Sequence, residues 1–145
     1  MKTIVALIDF SDVTFKVLKQ VHALAKGFGS HVVLLHVAPK NPVVVDVGLI
    51  SPTVLQEPTP EQEHAEEAKL RELQESLAKF GVTSTVRQIH AAGVEQLLAE
   101  AGNHHPDLIV VGSHRHGSLF ELLHSTITAQ VVRKAPCPVV VVPSN

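Results

Sequence analysis

Four short runs of apolar, mostly β-branched residues constrain the fold of this chain most strongly. Their spans are Thr3–Ile8, Val32–Val37, Leu108–Val111 and Val139–Val142. Each run is apolar almost throughout instead of alternating with polar residues, which is typical of parallel strands covered by helices on both faces. A fifth run, Thr83–Ile89, carries Arg87 and Gln88, so we expect it at an edge of the sheet with one face in water.

The segments between these runs have the period of amphipathic helices. In the first segment, apolar residues recur at three and four positions after Ser11, a candidate N-cap. Phe28 is the last residue of this apolar face, and Gly27 and Gly29 then end the helix. The next segment has acidic first turns and an apolar face that runs to Phe80, and Gly81 follows it. The sequence predicts three helices after the first: Glu61 to Phe80, about Val94 to Ala101, and about Leu119 to Lys134.

The alternation of strands and helices predicts an α/β fold. Four strand–helix pairs and a final strand, joined by right-handed crossovers, form a single doubly wound five-stranded parallel sheet with helices on both faces. A chain of 145 residues has the length of one such domain, residues 1–145. The stretch from about Pro39 to Pro60 holds five prolines, so it is predicted to be either a mobile loop or a lid or partner contact.

Composition and charge exclude several classes of function. A formal net charge of −2 provides no basic field for nucleic acid, and an aromatic content of 3% provides few platforms for base stacking. No apolar run approaches the roughly 20 residues that span a bilayer, and no signal-peptide pattern is present. With the single cysteine, Cys137, these features predict a cytoplasmic protein that binds neither nucleic acid nor membrane.

The candidate ligand site lies beyond the carboxyl ends of the strands, where ligands collect in open α/β sheets. The first strand is followed by Asp9 to Asp12, the second ends near Val37, and the fourth leads into the small-residue segment Gly112 to Ser118. A turn of small residues that enters a helix presents N–H groups to an anion or phosphate. The alternative is that this turn is only a tight connection.

The chain resembles the universal stress protein family over nearly its whole length. The residues that carry the resemblance are IVALIDFSD at the start, VVLLHVAP in the second strand, and DLIVVGSHRHGSLFELLHSTITAQVVRKAPCPVVVVP at the end. The resemblance implies a sheet of strand order 3-2-1-4-5 and a homodimer formed through the C-terminal strand. It also implies, for one branch of the family, an ATP or AMP site between the first and fourth strands.

The nucleotide-binding branch of the family has a glycine motif that this chain matches only in part. The motif reads Gly, two residues, Gly, nine residues, then Gly followed by Ser or Thr. Gly112 and Thr126 match it, whereas Arg115 and Ser125 stand where the family has glycine. A side chain at a glycine position leaves less room for a bound phosphate. Alternatively, the Arg115 guanidinium forms charge-assisted hydrogen bonds to an anion, and Gly117 supplies backbone flexibility nearby.

The resemblance also implies the adenine side of the site. Asp9 matches the family's acidic residue near the adenine and ribose, and Val37 matches an apolar position of the adenine pocket, although Val37 is equally explained as ordinary core. His114 belongs to the family's Gly-Ser-His turn. The complete predicted nucleotide site is Asp9, Val37, Gly112, His114, Arg115, Gly117, Ser125 and Thr126.

Metal binding and nucleophilic catalysis receive little support from the sequence. Ten histidines are present, including His114, His116 and the pair His104-His105, but no cysteine or carboxylate completes a tetrahedral set around them. Cys137 lies between two prolines beside a buried strand and is interpreted as a core residue. No Gly-x-Ser-x-Gly elbow occurs. We therefore expect no metal and no required cofactor.

Two functions remain from the sequence. The first is a homodimeric universal stress protein, a regulatory or protective binding module without enzymatic activity, with a degenerate site for AMP or ATP. The alternative is a stress protein of the same fold that binds no nucleotide and acts through homodimerisation and unidentified protein partners. Arg115 and Ser125 favour the second function, whereas Asp9, Gly112 and Thr126 favour the first.

Overall fold

A computed structural model describes residues 1–39, 44–45, 53–54, 59–91, 93–113 and 128–144 of the chain. The strands are β1 (Thr3–Ile8), β2 (His31–Pro39), β3 (Val44–Val45), β4 (Thr53–Val54), β5 (Ser84–Ala91), β6 (Leu108–Ser113) and β7 (Val139–Pro143). The helices are α1 (Thr14–Phe28), α2 (Pro60–Lys79), α3 (Val94–Gly102) and the helical residues 128–134, here called α4.

The main sheet has five strands in the order β5-β2-β1-β6-β7, and every neighbouring pair is parallel. Numbered along the chain within this sheet, the order is 3-2-1-4-5, so the predicted fold class and strand order are confirmed. β5 lies at one edge, as the polar residues of its run predicted. The strand order reverses between β1 and β6, which places the expected ligand crevice at their carboxyl ends.

Two apolar cores, one on each face of the sheet, explain why the strand sequences are almost continuously apolar. Alternate residues of β1 point to opposite faces: Ile4 packs with α1 and α2, whereas Val5 packs with α3 and α4. Within α4, Val131 is fully buried in the second core. Both faces of the central strands are therefore dry, and polar residues have no solvent-facing position on them.

The start of α1 differs from the prediction. Ser11 is not the N-cap; that position belongs to Val13, which makes no side-chain capping bond. The Ser11 Oγ instead donates to Asp9 Oδ1 at 2.7 Å and accepts from the Val13 N–H at 3.3 Å. Because Ser11 is held in this turn, the helix begins later, at Thr14. At the other end, Gly29 adopts φ 66° as predicted for a helix stop.

The start of α2 carries a capping box that the prediction from sequence did not include. The Thr59 Oγ1 accepts from the Gln62 N–H at 3.2 Å, and the Gln62 side chain accepts from the Thr59 N–H at 2.9 Å. Pro60 occupies the first turn, where its missing N–H has no cost. Gly81 follows the helix with φ 81°, in agreement with its predicted role.

Two further details correct the predictions, and a third concerns the predicted loop. Phe28 and Phe80, expected on the buried faces of their helices, are mostly exposed because each lies at the very end of its helix. β6 continues through Gly112 and Ser113, so these residues end the strand instead of beginning the turn. Most of the predicted loop from 39 to 60 lies outside the described residues, and within it Val44 and Val45 pair with Val54 and Thr53 in a short antiparallel ladder.

Among the described residues, no helix is both long enough and apolar enough to cross a membrane.

Candidate functional site

The candidate site lies where β1 and β6 run side by side. Ile4, Val5 and Ala6 pair with Leu108, Ile109 and Val110, so the two strands leave the core at the same edge of the sheet. Asp9 follows the end of β1, and Gly112 belongs to the end of β6. The structure thus brings one predicted residue from each strand to the crevice at which the strand order reverses.

Asp9 organises the turn between β1 and α1. Its Oδ1 accepts from the Ser11 N–H at 3.1 Å and the Ser11 Oγ at 2.7 Å, with the Thr14 Oγ1 at 3.4 Å. Phe10, between Asp9 and Ser11, has φ 57°. This is a left-handed backbone conformation that residues other than glycine seldom adopt. The carboxylate therefore holds a strained turn in place, while Asp9 itself remains exposed at the mouth of the crevice.

Gly112 is required by packing. A Cβ atom at this position would lie 2.8 Å from Val13 Cγ1 and 3.2 Å from Val17 Cγ2. The N-terminal turn of α1 is therefore pressed directly against the end of β6. The Gly112 carbonyl also accepts from the Thr128 Oγ1 at 3.4 Å, at the first described residue of α4. The elements that border the crevice thus meet at this glycine.

The other predicted site residues are not brought together by the described structure. Val37 lies in β2 and pairs with Ile89 of β5, but its side chain lies outside the described part of the chain. Five predicted residues lie wholly outside the described ranges: His114, Arg115, Gly117, Ser125 and Thr126.

A buried histidine beside the crevice was missed by the sequence analysis. His36 is 7% exposed in β2, and its Nδ1 lies 2.8 Å from the carbonyl oxygen of Ile8, the last residue of β1. Its Nε2 lies 3.0 Å from Glu66 Oε2 on α2. The same carboxylate oxygen accepts from the Gln88 Nε2 of β5 at 2.9 Å. The available signal was a titratable residue within an apolar strand, which requires buried partners.

Phe10 connects this histidine to the turn. Its ring centroid lies 4.6 Å from that of His36 at a tilt of 51°, and Lys69 Nζ lies 5.5 Å above the Phe10 ring. Aromatic faces attract cations at this distance. The residue next to Asp9 is thus packed against the polar network of His36, Glu66 and Gln88.

A second histidine–glutamate pair fastens α2 to the same edge of the sheet. His90 Nε2 lies 3.1 Å from Glu63 Oε1, and both side chains are exposed. Near the other end of α2, the Gln74 Nε2 donates to the Ser84 carbonyl at 2.8 Å. Exposed ion pairs of this kind contribute little stability. The His36–Glu66 pair is less solvated, because its side chains are 9% and 28% exposed.

Cys137 does not have the surroundings of a nucleophile. It packs against the second core, and its partial burial, together with the nearby negative charge of Asp107, raises the pKa of its thiol. The thiolate fraction at neutral pH is therefore small. Across the described residues, no group of three or more His, Cys, Asp or Glu side chains is arranged to hold a metal ion.

Comparison with known proteins agrees with this geometry. A curated relative, the universal stress protein MJ0531 of Methanocaldococcus jannaschii, is 27% identical over 141 residues, which cover 97% of this chain and 81% of that protein. A universal stress protein solved in complex with cAMP superposes with a TM-score of 0.72 at 19% identity, covering 99% of this chain and 98% of that chain.

Two other similar structures also contain nucleotides. The universal stress protein from Archaeoglobus fulgidus in complex with dAMP has a TM-score of 0.68 at 17% identity, with 97% of this chain and 96% of that chain covered. A family protein from Arabidopsis thaliana with AMP bound has a TM-score of 0.64 at 16% identity, with 100% and 93% covered. At these identities the structures establish the shared fold.

The family itself is established by the sequence. The family model described as the universal stress protein family matches residues 1–143, almost the complete chain. The curated relative carries the same family name. The chain belongs to the universal stress protein family.

Proposed function

We propose that this universal stress protein binds an adenine nucleotide in the crevice between the ends of β1 and β6. The observation that carries the proposal is the position of Asp9, held by three hydrogen-bonding groups at the point where the strand order reverses. Similar proteins of this fold have been solved with cAMP, dAMP and AMP. The adenine and ribose would lie on the Asp9 and Val37 side, with the phosphate toward the end of β6.

The ligand we propose carries few phosphates. Gly112 matches the family's glycine motif, but Arg115 and Ser125 replace its other two glycines. Glycine at these positions lets the backbone approach phosphate, so side chains there would leave less space for a long phosphate chain, and AMP should bind at least as well as ATP. His114, Gly117 and Thr126 complete the phosphate side of the proposed site.

The binding experiment uses two measurements. Mass spectrometry of small molecules released from gently purified protein should detect an adenine nucleotide, and calorimetry should give similar affinities for AMP and ATP. In the variant Arg115→Gly/Ser125→Gly, ATP should gain affinity relative to AMP because the cradle is reopened. ATP binding at least about tenfold tighter than AMP in the unchanged protein, a difference of about 1.4 kcal/mol, would contradict the proposal.

We further propose that the protein is a regulatory binding module and not an enzyme, located in the cytoplasm. The raised pKa of the Cys137 thiol argues against that residue as a nucleophile. The single cysteine in the sequence suits a reducing compartment. Turnover of AMP or ATP, measured as release of adenosine or phosphate by the purified protein, would contradict the first part of this proposal.

The proposed assembly is a homodimer through β7. This strand lies at the edge of the sheet, opposite β5, and its apolar Val141 is 39% exposed. An apolar edge strand leaves backbone groups unpaired, and pairing with a second copy would satisfy them.

A second candidate function is binding to protein partners without a nucleotide. This function is favoured by Arg115 and Ser125, which stand where the family's nucleotide-binding motif has glycine. A motif without these two glycines is less suited to binding phosphate. The two functions differ in one result: purified protein that carries no nucleotide and gives no heat with AMP or ATP supports the second.

A further inference from the structure

We propose that one proton shared by His36 and Glu66 positions the β1–α1 turn, and that nucleotide affinity therefore depends on pH. This inference rests on the proposed nucleotide site and deepens it by naming a positioning residue. His36 is the residue before Val37, and it contacts the carbonyl of Ile8, the residue before Asp9. It therefore connects the two strands that carry the adenine side of the proposed site.

The hydrogen-bond geometry requires the shared proton. The Ile8 carbonyl can only accept, so the His36 Nδ1, at 2.8 Å, must be the donor. The His36 Nε2 lies 3.0 Å from Glu66 Oε2, which also receives the Gln88 amide N–H. An unprotonated Nε2 facing an ionised carboxylate would place two acceptors in contact. The contact exists only if the pair holds a proton, either as imidazolium and carboxylate or as neutral imidazole and carboxylic acid.

Charged and polar groups from several elements surround the His36–Glu66 pair. Glu66 on α2 is in direct contact, and its side chain is 28% exposed, so the pair remains partly solvated. The centroid of the Phe10 ring lies 4.6 Å from that of the His36 ring, and the two rings are tilted by 51°. Lys69 lies on the same ring and opposes a second positive charge. The other groups that face this interface are Asp9 in the turn, the Glu63–His90 pair between α2 and β5, and the neutral Gln88.

Loss of the proton would release the turn. Without the proton, the His36 Nε2 is a bare acceptor that faces the Glu66 carboxylate oxygen. Once the Nε2 is bare, Glu66 is repelled and turns toward water, and the contact between the His36 and Phe10 rings changes. Phe10 holds a left-handed conformation, which persists only where its surroundings enforce it. The Asp9 carboxylate, attached to the same turn, then loses its fixed position.

The first experiment needs no ligand. Imidazole nitrogen signals measured by NMR as the pH is varied report the proton on His36, and amide exchange of the Ser11 N–H reports the turn. We expect exchange of the Ser11 amide to accelerate, beyond the intrinsic effect of pH, with the same midpoint as loss of the His36 proton.

The conservative variant Glu66→Gln distinguishes the effect of the shared proton from the effect of the hydrogen bonds. In Glu66→Gln the amide nitrogen can take the place of Oε2, which contacts both His36 and Gln88. Its two N–H groups then donate to a neutral His36 Nε2 and to the side-chain oxygen of Gln88, whose amide turns over, so the network is complete without a shared proton. The Ser11 amide should then stay protected across the whole range. His90→Gln, which removes the neighbouring exposed pair on the same helix, is the matched control and should keep the wild-type profile.

Binding of AMP provides the second readout. Wild-type protein and His90→Gln should lose affinity as pH rises, by at least about fivefold, the low end of ordinary coupling between two sites. Glu66→Gln should show a weaker dependence on pH, because the His36 contact no longer needs a proton and the charge change of the AMP phosphate remains. A wild-type profile that is flat, or a Glu66→Gln profile identical to wild type, would overturn the inference.

The two readouts distinguish the inference from the function on which it rests. If the exchange rate of the Ser11 amide does not change with the protonation of His36, the inference is contradicted even if AMP binds. Ser11 exchange that follows His36 in a protein that binds no AMP at any pH supports the positioning of the turn and refutes the proposed nucleotide site.

Discussion

Packing requires glycine at position 112 whether or not a ligand binds. The family's motif and the contact with Val13 both require a residue without a side chain at this position. Asp9 likewise has two roles, because its carboxylate fixes the strained turn at Phe10 and also faces the crevice. Variants at these residues are informative only when their effect on folding is separated from their effect on binding.

Gly112→Ala should therefore destabilise the protein in the absence of any nucleotide. Its Cβ would lie 2.8 Å from Val13 Cγ1, and overpacking of this kind costs about 1–3 kcal/mol. Val13→Ala removes the clashing methyl groups, so the double variant should lose less stability than the sum of the two single variants. Urea unfolding of all four proteins measures this difference.

Gly102→Ala is the matched control for Gly112→Ala. A Cβ at Gly102, the last residue of α3, would meet no atom within 4 Å. Its free energy of unfolding should stay the same or rise slightly. Equal destabilisation by Ala at both glycines, or additive effects of Val13→Ala and Gly112→Ala, would refute the packing explanation.

At the level of elements, the strands were predictable and the helix ends were less so. Two dry faces force continuous apolar runs, and these runs are visible in the sequence. The N-terminus of α1 depends on whether Ser11 bonds forward to the helix or back to Asp9, and both choices use the same residue types. The exposure of Phe28 depends on where α1 ends relative to the sheet edge, which the helical period alone does not specify.

The junction between β1 and β6 supplies a prediction about acid stability. The Asp107 Oδ2 accepts from the Lys2 N–H at 2.7 Å and the Thr3 N–H at 3.0 Å. These bonds, first that of Thr3 and then that of Lys2, lower the pKa of Asp107 below its ordinary value of 3.8. A lowered pKa contributes stability that is fully present above the ordinary value and disappears as pH falls through the lowered one.

Asp107→Asn tests this contribution, because the amide oxygen still accepts both N–H groups but carries no charge. Wild type should be the more stable protein near neutral pH, and its advantage should shrink as the pH is lowered past 3.8. Denaturant midpoints measured across this range provide the comparison. An advantage that grows in acid would contradict the assignment.

For the molecule as a whole, the sheet order creates two exposed edges with different character. β5 carries Arg87 and Gln88, and charged or polar residues protect an edge from pairing. β7 carries a run of valines, including the exposed Val141. This difference makes β7 the edge at which a second copy is expected.

Val141→Lys should shift the protein toward a monomer. A lysine on the apolar edge would face its symmetry mate across the proposed two-fold axis, and like charges there oppose association. Gln20→Lys adds the same charge on an exposed position of α1 and should leave the molar mass unchanged. Light scattering at micromolar concentration measures both proteins, and a wild-type protein that is already monomeric would rule out the β7 dimer.

Only part of the candidate site could be predicted from the sequence. Asp9 and Gly112 were identified because each follows a strand of the predicted parallel sheet, and because the resemblance to the family implied that these two strands are neighbours. The contacts of His36 were not identified because they depend on the register of α2 over β2 and β5, and this register aligns Glu66 with His36 and Gln88. Sequence patterns specify which residues end a strand, but not which helix residue lies above them.

The central claim, an adenine nucleotide held beside Asp9, is tested most directly by calorimetry of AMP binding to wild type and Asp9→Asn. Asparagine retains an oxygen that accepts from the Ser11 N–H and Oγ, so the turn and the thermal midpoint should be preserved. Loss of the carboxylate should weaken AMP binding roughly tenfold, about 1.4 kcal/mol. AMP affinity unchanged in Asp9→Asn, or no binding to wild type at millimolar AMP, would contradict the claim.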